Sequence, residues 1–120
     1  MNEHFKDANS WIKCAQYILD ENPRVSAAMS AHAMIKSLDA LFEEKFSRTP
    51  QRHDKATDFF KEVLSRNLIR GEESRFLHTI QNILQKKSSA EYHTSYYSKD
   101  DARQWIRNVE NIMEMCGKYV

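Results

Sequence analysis

Apolar side chains return every three or four positions along five stretches of this chain, the period that turns one face of an α-helix toward a core. In the first stretch, Phe5, Ala8, Trp11, Ile12, Ala15, Ile18 and Leu19 predict a helix ending near Asn22. Pro23 blocks that helix but suits the opening turn of another, so Asn22-Pro23-Arg24 reads as a tight junction between antiparallel neighbours. The second helix is predicted from roughly Arg24 to Phe46. It starts with the small residues Ser26-Ala27-Ala28-Met29-Ser30-Ala31, which let another helix approach closely. Its apolar stripe, Ala27, Ala31, Met34, Ile35, Leu38, Leu41, Phe42 and Phe46, is wide enough for the centre of a bundle, with Lys36, Asp39 and Glu43 marking its wet side.

Ser47-Arg48-Thr49-Pro50-Gln51-Arg52 reads as a loop, rich in turn formers and cations. A third helix follows with Ala56, Phe59, Phe60, Val63, Leu64 and Leu68 inward. Gly71 separates it from a fourth, whose period is kept by Phe76, Leu77, Ile80, Ile83 and Leu84. Ser98-Lys99-Asp100-Asp101 places a hydroxyl at a cap and acids in the first turn, so a fifth helix starts there. Ala102, Trp105, Ile106, Val109, Ile112, Met113 and Cys116 form its stripe, and Gly117 marks its end. No segment alternates with a period of two for long enough to be a strand. The expected architecture is therefore a single all-α domain over residues 1–120, an antiparallel up-and-down bundle of about five helices.

Composition narrows the class without naming a task. With 41% hydrophobic and 29% charged residues in 120, the chain is expected to bury a core without disulfide or metal staples. A net charge of +1 recruits no polyanion globally, so any nucleic-acid contact must be local, and no DNA sequence readout is expected. No apolar run is long enough for a bilayer, and the first residues are polar where a secretory signal would be apolar; the expectation is a cytoplasmic protein with no membrane contact. Cys14 and Cys116 read as reduced core thiols.

Candidate chemistry gathers where the fourth helix runs out, in Lys86-Lys87-Ser88-Ser89-Ala90-Glu91-Tyr92-His93-Thr94-Ser95-Tyr96-Tyr97. Cleavage of RNA by its own 2′-hydroxyl needs a proton acceptor and a group that stabilises charge on phosphorus, and His93 with Lys87 is a minimal set. An unbroken helix would set those two about 120° apart around its axis, so they converge only if it ends or bends near Ala90. Lys86, Lys87, Tyr92 and Tyr96 are the candidate phosphate- or nucleotide-binding residues. His4, His32, His53, His78 and His93 are scattered, and no metal or cofactor is expected. His32 reads as a partly buried structural imidazole, His53-Asp54 with Asp58 as acids offsetting a helix dipole, and Arg75 with His78 as a solvated face.

Three features, taken in order, resemble the HEPN family of prokaryotic helical domains. They are the small-residue helix through Ala27-Ala28-Met29-Ser30-Ala31-His32 to Leu41-Phe42, then Pro50 and His53-Asp54 before a helix bearing Phe59-Phe60, and last Lys87-Ser88-Ser89-Ala90-Glu91-Tyr92, similar to the family's Arg-x-x-Ala-Asp-Tyr. The resemblance implies a bundle that forms homodimers and, in many members, a metal-independent ribonuclease with Arg, four to six residues and then His near the dimer interface. His93 stands in the His place and Lys87 in the Arg place. Some members resemble toxins neutralised by a small nucleotidyltransferase that modifies a Tyr; Tyr96 lies one residue further along than that Tyr. Lysine lacks arginine's planar fork. The resemblance therefore implies, first, a dimeric interaction or nucleotide-binding module beside a nucleotidyltransferase in a defence or toxin–antitoxin system. The alternative is an active RNA endonuclease using His93 with Lys87.

Overall fold

The computed structural model describes residues 2–92 and 96–120, Tyr92 in its backbone alone. Among them lie five α-helices, α1 (Glu3–Ile18), α2 (Pro23–Phe46), α3 (Ala56–Ser65), α4 (Leu77–Tyr92) and α5 (Lys99–Gly117), with 3₁₀ turns at His53–Lys55 and Gly71–Phe76. None of the described residues is in a strand. The chain is an all-α antiparallel bundle, as the periodicity predicts.

Helix α2 is its axle. At about 1.5 Å per residue its 24 residues reach about 36 Å, most of the molecule's 41 Å long axis. It packs most extensively against α1 and α5 and also meets α4 and α3. Its buried positions go beyond a single stripe and include Ser26, Ser30, Ala33, Ser37 and Ala40. The three serines are buried at no hydrogen-bonding loss, because each hydroxyl donates to a carbonyl: Ser26 to Ala15 at 2.6 Å, Ser30 to Ala27 at 2.7 Å and Ser37 to Ala33 at 3.0 Å. The Ser26 bond crosses to α1, so the small side chain both permits the close approach and ties it.

The helix ends follow their capping chemistry. The Asn22 side chain accepts from the Val25 amide, and Pro23 opens α2 where a missing N–H leaves no orphan. Ser98 and Asp101 form a reciprocal capping box on α5. Two boundaries differ from expectation. α1 stops at Ile18 rather than near Asn22, with the amides of Glu21 and Asn22 turning back onto the Ile18 carbonyl. α3 stops at Ser65 because Asn67 takes a left-handed φ of 56°, and Leu68 then continues as loop. Cys14 is exposed, which corrects its reading as a core thiol; it sits one residue, about 100° of helix, away from buried Ala15. Cys116 is buried, and burial, with the nearby Glu73 carboxylate, pushes its thiol well up. Both are free.

The C-terminal turn closes the far end of the bundle. Tyr119 donates its hydroxyl to Glu73 Oε2 at 2.7 Å and accepts from the Arg70 amide at 3.1 Å. Glu73 is fully buried, with Lys118 at 3.7 Å and Arg75 at 3.9 Å supplying the opposite charge. Among the described residues no helix is long and apolar enough to cross a membrane.

Candidate functional site

Helix α4 sorts its side chains onto separate faces, and that sorting decides which candidate residues meet. Ile80, Ile83 and Ala90 are buried against the rest of the bundle, and Lys87 falls on the same line at three- and four-residue steps. Asn82, Lys86 and Ser89 keep the same steps on the face toward α5. Gln81, Leu84 and Gln85 face α3. Two adjacent lysines are therefore carried into different surroundings, because neighbours on a helix are about 100° apart.

Lys86 lines an open groove of about 540 Å³ between α4 and α5. Asn82 and Ser89 share its α4 wall; Asp101, Gln104, Trp105 and Asn108 form its α5 wall; Tyr96 and Tyr97 close one end. The ring of Tyr97 meets Trp105 edge-on at 5.8 Å, and its hydroxyl is hydrogen-bonded with Ser89. Burial raises the Tyr97 phenol above its ordinary range, with Asp101 adding to the rise and the Ser89 bond and Arg24 opposing it. Gln104 donates to Asn108 at 3.0 Å, so this pair of amides is held in place. Tyr96, by contrast, stands 87% exposed at the rim. Among the described residues the groove thus offers aromatic faces, amide donors and acceptors, one ammonium and the Asp101 carboxylate.

Lys87 points into a seam between α2 and α4. The register of that seam is pinned where Arg24 Nη1 donates to the Ala90 carbonyl at 2.6 Å. The Lys87 side chain is only 15% exposed and pairs with Glu91, one turn on and 22% exposed. Opposite lies His32 of α2, half-buried, with the Trp11 ring at 4.4 Å and the His53 ring at 6.1 Å. Its pKa is lowered, chiefly by burial and then by the charges of Lys87, His53 and Lys36, with Glu91 opposing. Lys36, Asp39 and Glu43 continue the line of His32 along α2. This corrects the picture of a simple wet side: Lys36 and Asp39 are half-buried, and burial raises the Asp39 carboxyl against the pull of His4, Lys36 and His53. His4 meets Glu43 at 3.1 Å.

The candidate residues are therefore divided. Lys86 and Tyr96 line one groove; Lys87 faces the seam instead. The α4 helix runs through Ala90 and ends at Tyr92. His93 and the Tyr92 side chain lie outside the described residues. Asp54 is held low by hydrogen bonds from Arg52 at 3.0 and 2.7 Å, and His78 is exposed. Among the described residues no group of three or more His, Cys, Asp or Glu is placed to hold a metal ion.

Sequence reasoning missed Asn82, Gln104, Trp105 and Asn108 in the groove, Glu91 beside Lys87, and Lys36 and His53 around His32. For the α4 residues a signal was present. Counting seven on from Ile80 reaches Lys87, and four and seven on from Asn82 reach Lys86 and Ser89. For the α2 and 3₁₀ partners no local pattern announces the contact, since it joins segments far apart in the chain.

The family model described as HEPN domain matches residues 1–119. The search of curated proteins returned no match.

Proposed function

The chain belongs to the HEPN domain family, and from that premise we propose that it is a homodimeric interaction and nucleotide-binding module with little nuclease activity of its own. Its partner in this reading is a small nucleotidyltransferase of a defence or toxin–antitoxin system. Family membership supports a nucleotide-binding or ribonuclease-like module in general, and domains of this family commonly dimerise.

The observation that carries the reading is the α4–α5 groove, where Lys86 and Tyr96 meet Trp105 and the paired amides of Gln104 and Asn108. A base stacks on an aromatic face, amides address its polar edge, and an ammonium attracts its phosphate. Low cleavage is supported by the other lysine. Lys87 has no planar fork, and Glu91 beside it offsets the positive charge that would stabilise a transition state on phosphorus.

The test uses the full chain. A fluorescent adenine nucleotide is expected to quench Trp105 on binding, and Lys86→Ala to weaken that binding by at least about fivefold, the loss of one charge-assisted contact. Light scattering is expected to show a dimer, and RNA in chelator to stay intact with wild type and His93→Ala alike. A nucleotidyltransferase encoded beside the chain is expected to co-purify with it. A concentration-independent monomer that ignores nucleotides would overturn the proposal. RNA cleavage abolished by His93→Ala would replace it with the endonuclease that uses His93 and Lys87.

A further inference from the structure

Helix α2 ends where Ser47 takes a left-handed φ of 59° and its amide donates to the Glu43 carbonyl at 2.9 Å, which turns the next residues back over α3. The Arg48 guanidinium then lies 4.8 Å from the centre of the Phe59 ring and 5.8 Å from that of Phe46, a cation–π seat. With Thr49, Gln51, Arg52, Lys55 and the Phe59 ring it lines an open pocket of about 410 Å³. No carboxylate is among the described residues that line this pocket. Its three positive charges exceed the +1 of the whole chain, so the rest of the chain is acidic on balance. The pocket shares no lining residue with the α4–α5 groove.

Two carboxylates stand behind these cations without neutralising all three. Glu62 is 4.0 Å from Arg48 but 2.7 Å from Arg66, so the other arginine holds it. Asp54 accepts from Nε and Nη2 of Arg52 at 3.0 and 2.7 Å, which leaves the Nη1 edge of the fork for another acceptor. Among the described residues Lys55 makes no ion pair. The negative end of the α2 dipole accounts for Lys45 and Arg48. It does not account for Arg52 and Lys55, which precede α3 at the end where a helix dipole disfavours cations. Core packing does not account for them either, since both are exposed.

We infer that the pocket between the α2–α3 loop and Phe59 binds a run of adjacent phosphates, with Arg48, Arg52 and Lys55 as its cations and Thr49 and Gln51 as neutral donors. A lone phosphate gains little from exposed charges screened by water, whereas a chain of phosphates meets all three cations at once and releases a counterion at each contact. Guanidinium suits this class because its planar fork meets two phosphate oxygens together. No bond is made or broken. The inference stands independently of the nucleotide groove.

The experiment is fluorescence anisotropy of a short labelled oligouridylate with the full chain over a series of chloride concentrations, with inorganic tripolyphosphate as competitor. A single strand that meets three cations gives a slope of about −2 in log association constant against log salt, and removing one cation takes about 0.7 from its steepness. Arg52→Gln and Lys55→Gln are each expected to show that loss. Lys61→Gln takes the same charge from an exposed position of α3 that faces α4 instead, and is expected to keep the wild-type slope. Displacement of the strand by tripolyphosphate at a lower phosphate concentration assigns the pocket to a free polyphosphate; a strand held more tightly per phosphate assigns it to a nucleic-acid backbone. A polyglutamate of matched charge is expected to compete poorly, and competition equal to that of unlabelled strand would overturn the phosphate assignment. A slope near zero, or one unchanged in Arg52→Gln and Lys55→Gln, would overturn the site. So would an equal loss in Lys61→Gln, which would mean that anions gather over the whole surface of α3.

Discussion

Lys86 and Lys87 are the same residue type, one peptide apart on the same helix, yet they inhabit different chemistries. Lys86 stands over an open groove with aromatic rings and amides, screened by water. Lys87 lies on the line of Ile80, Ile83 and Ala90, only 15% exposed, where its charge pairs with Glu91 and acts on His32. The lesson is that a helix assigns roles by angle. A motif written as a string joins residues that the helix then separates, and a cation at an inward position must be answered by groups on other elements.

That contrast is sharpest in the carboxylate that answers Lys87. Glu91→Ala strands the Lys87 ammonium, and its 15% exposure moderates the penalty of a fully buried unpaired charge. The expected loss is about 1–3 kcal/mol in denaturant unfolding. A loss indistinguishable from zero would mean that Lys87 is as well hydrated as Lys86.

Next comes pH. Between its lowered folded value and the ordinary 6.5, His32 is protonated in the unfolded chain but not in the folded one, so stability falls as pH drops through that window. Above 6.5 this group contributes no pH dependence. Asp39 has the opposite sign: its raised carboxyl makes the folded state lose stability as pH climbs from 3.8 through the raised value. Unfolding midpoints measured across the His32 window are expected to slope upward with pH, and His32→Gln to flatten that slope. An unchanged slope would place the acid sensitivity elsewhere.

Lys87→Met is expected to fall within about 1 kcal/mol of wild type, or above it, because an apolar side chain suits the inward line of α4 and Glu91 keeps partial access to water. The smallest effect belongs to Lys86→Ala, expected within about 0.5 kcal/mol in stability while it weakens nucleotide binding. A Lys86 variant that unfolds, or a Lys87 variant that loses nucleotide binding as Lys86→Ala does, would erase the distinction between the faces.

Much of the architecture was legible in the chain. The 3.6-residue period located all five helices, Pro23 with Asn22 marked the sharp turn before α2, and Ser98 with Asp101 announced the capping box of α5. These are signals between residues a few positions apart, where covalent geometry and backbone hydrogen bonding settle the outcome. The groove was legible in half. Lys86 and Tyr96, which line it, flank one helix end and stand out in the chain, but its other wall is α5 and shares no local pattern with α4.

By itself, then, the sequence determined the helices, their caps and the family, since periodicity and capping act over one or two turns. Only the tertiary structure decided that Lys87 turns toward His32 and Lys86 toward Trp105. The rotation of α4 about its own axis is set by the joint burial of Ile80, Ile83 and Ala90 against helices far away in the chain, and no run of neighbouring residues encodes that angle.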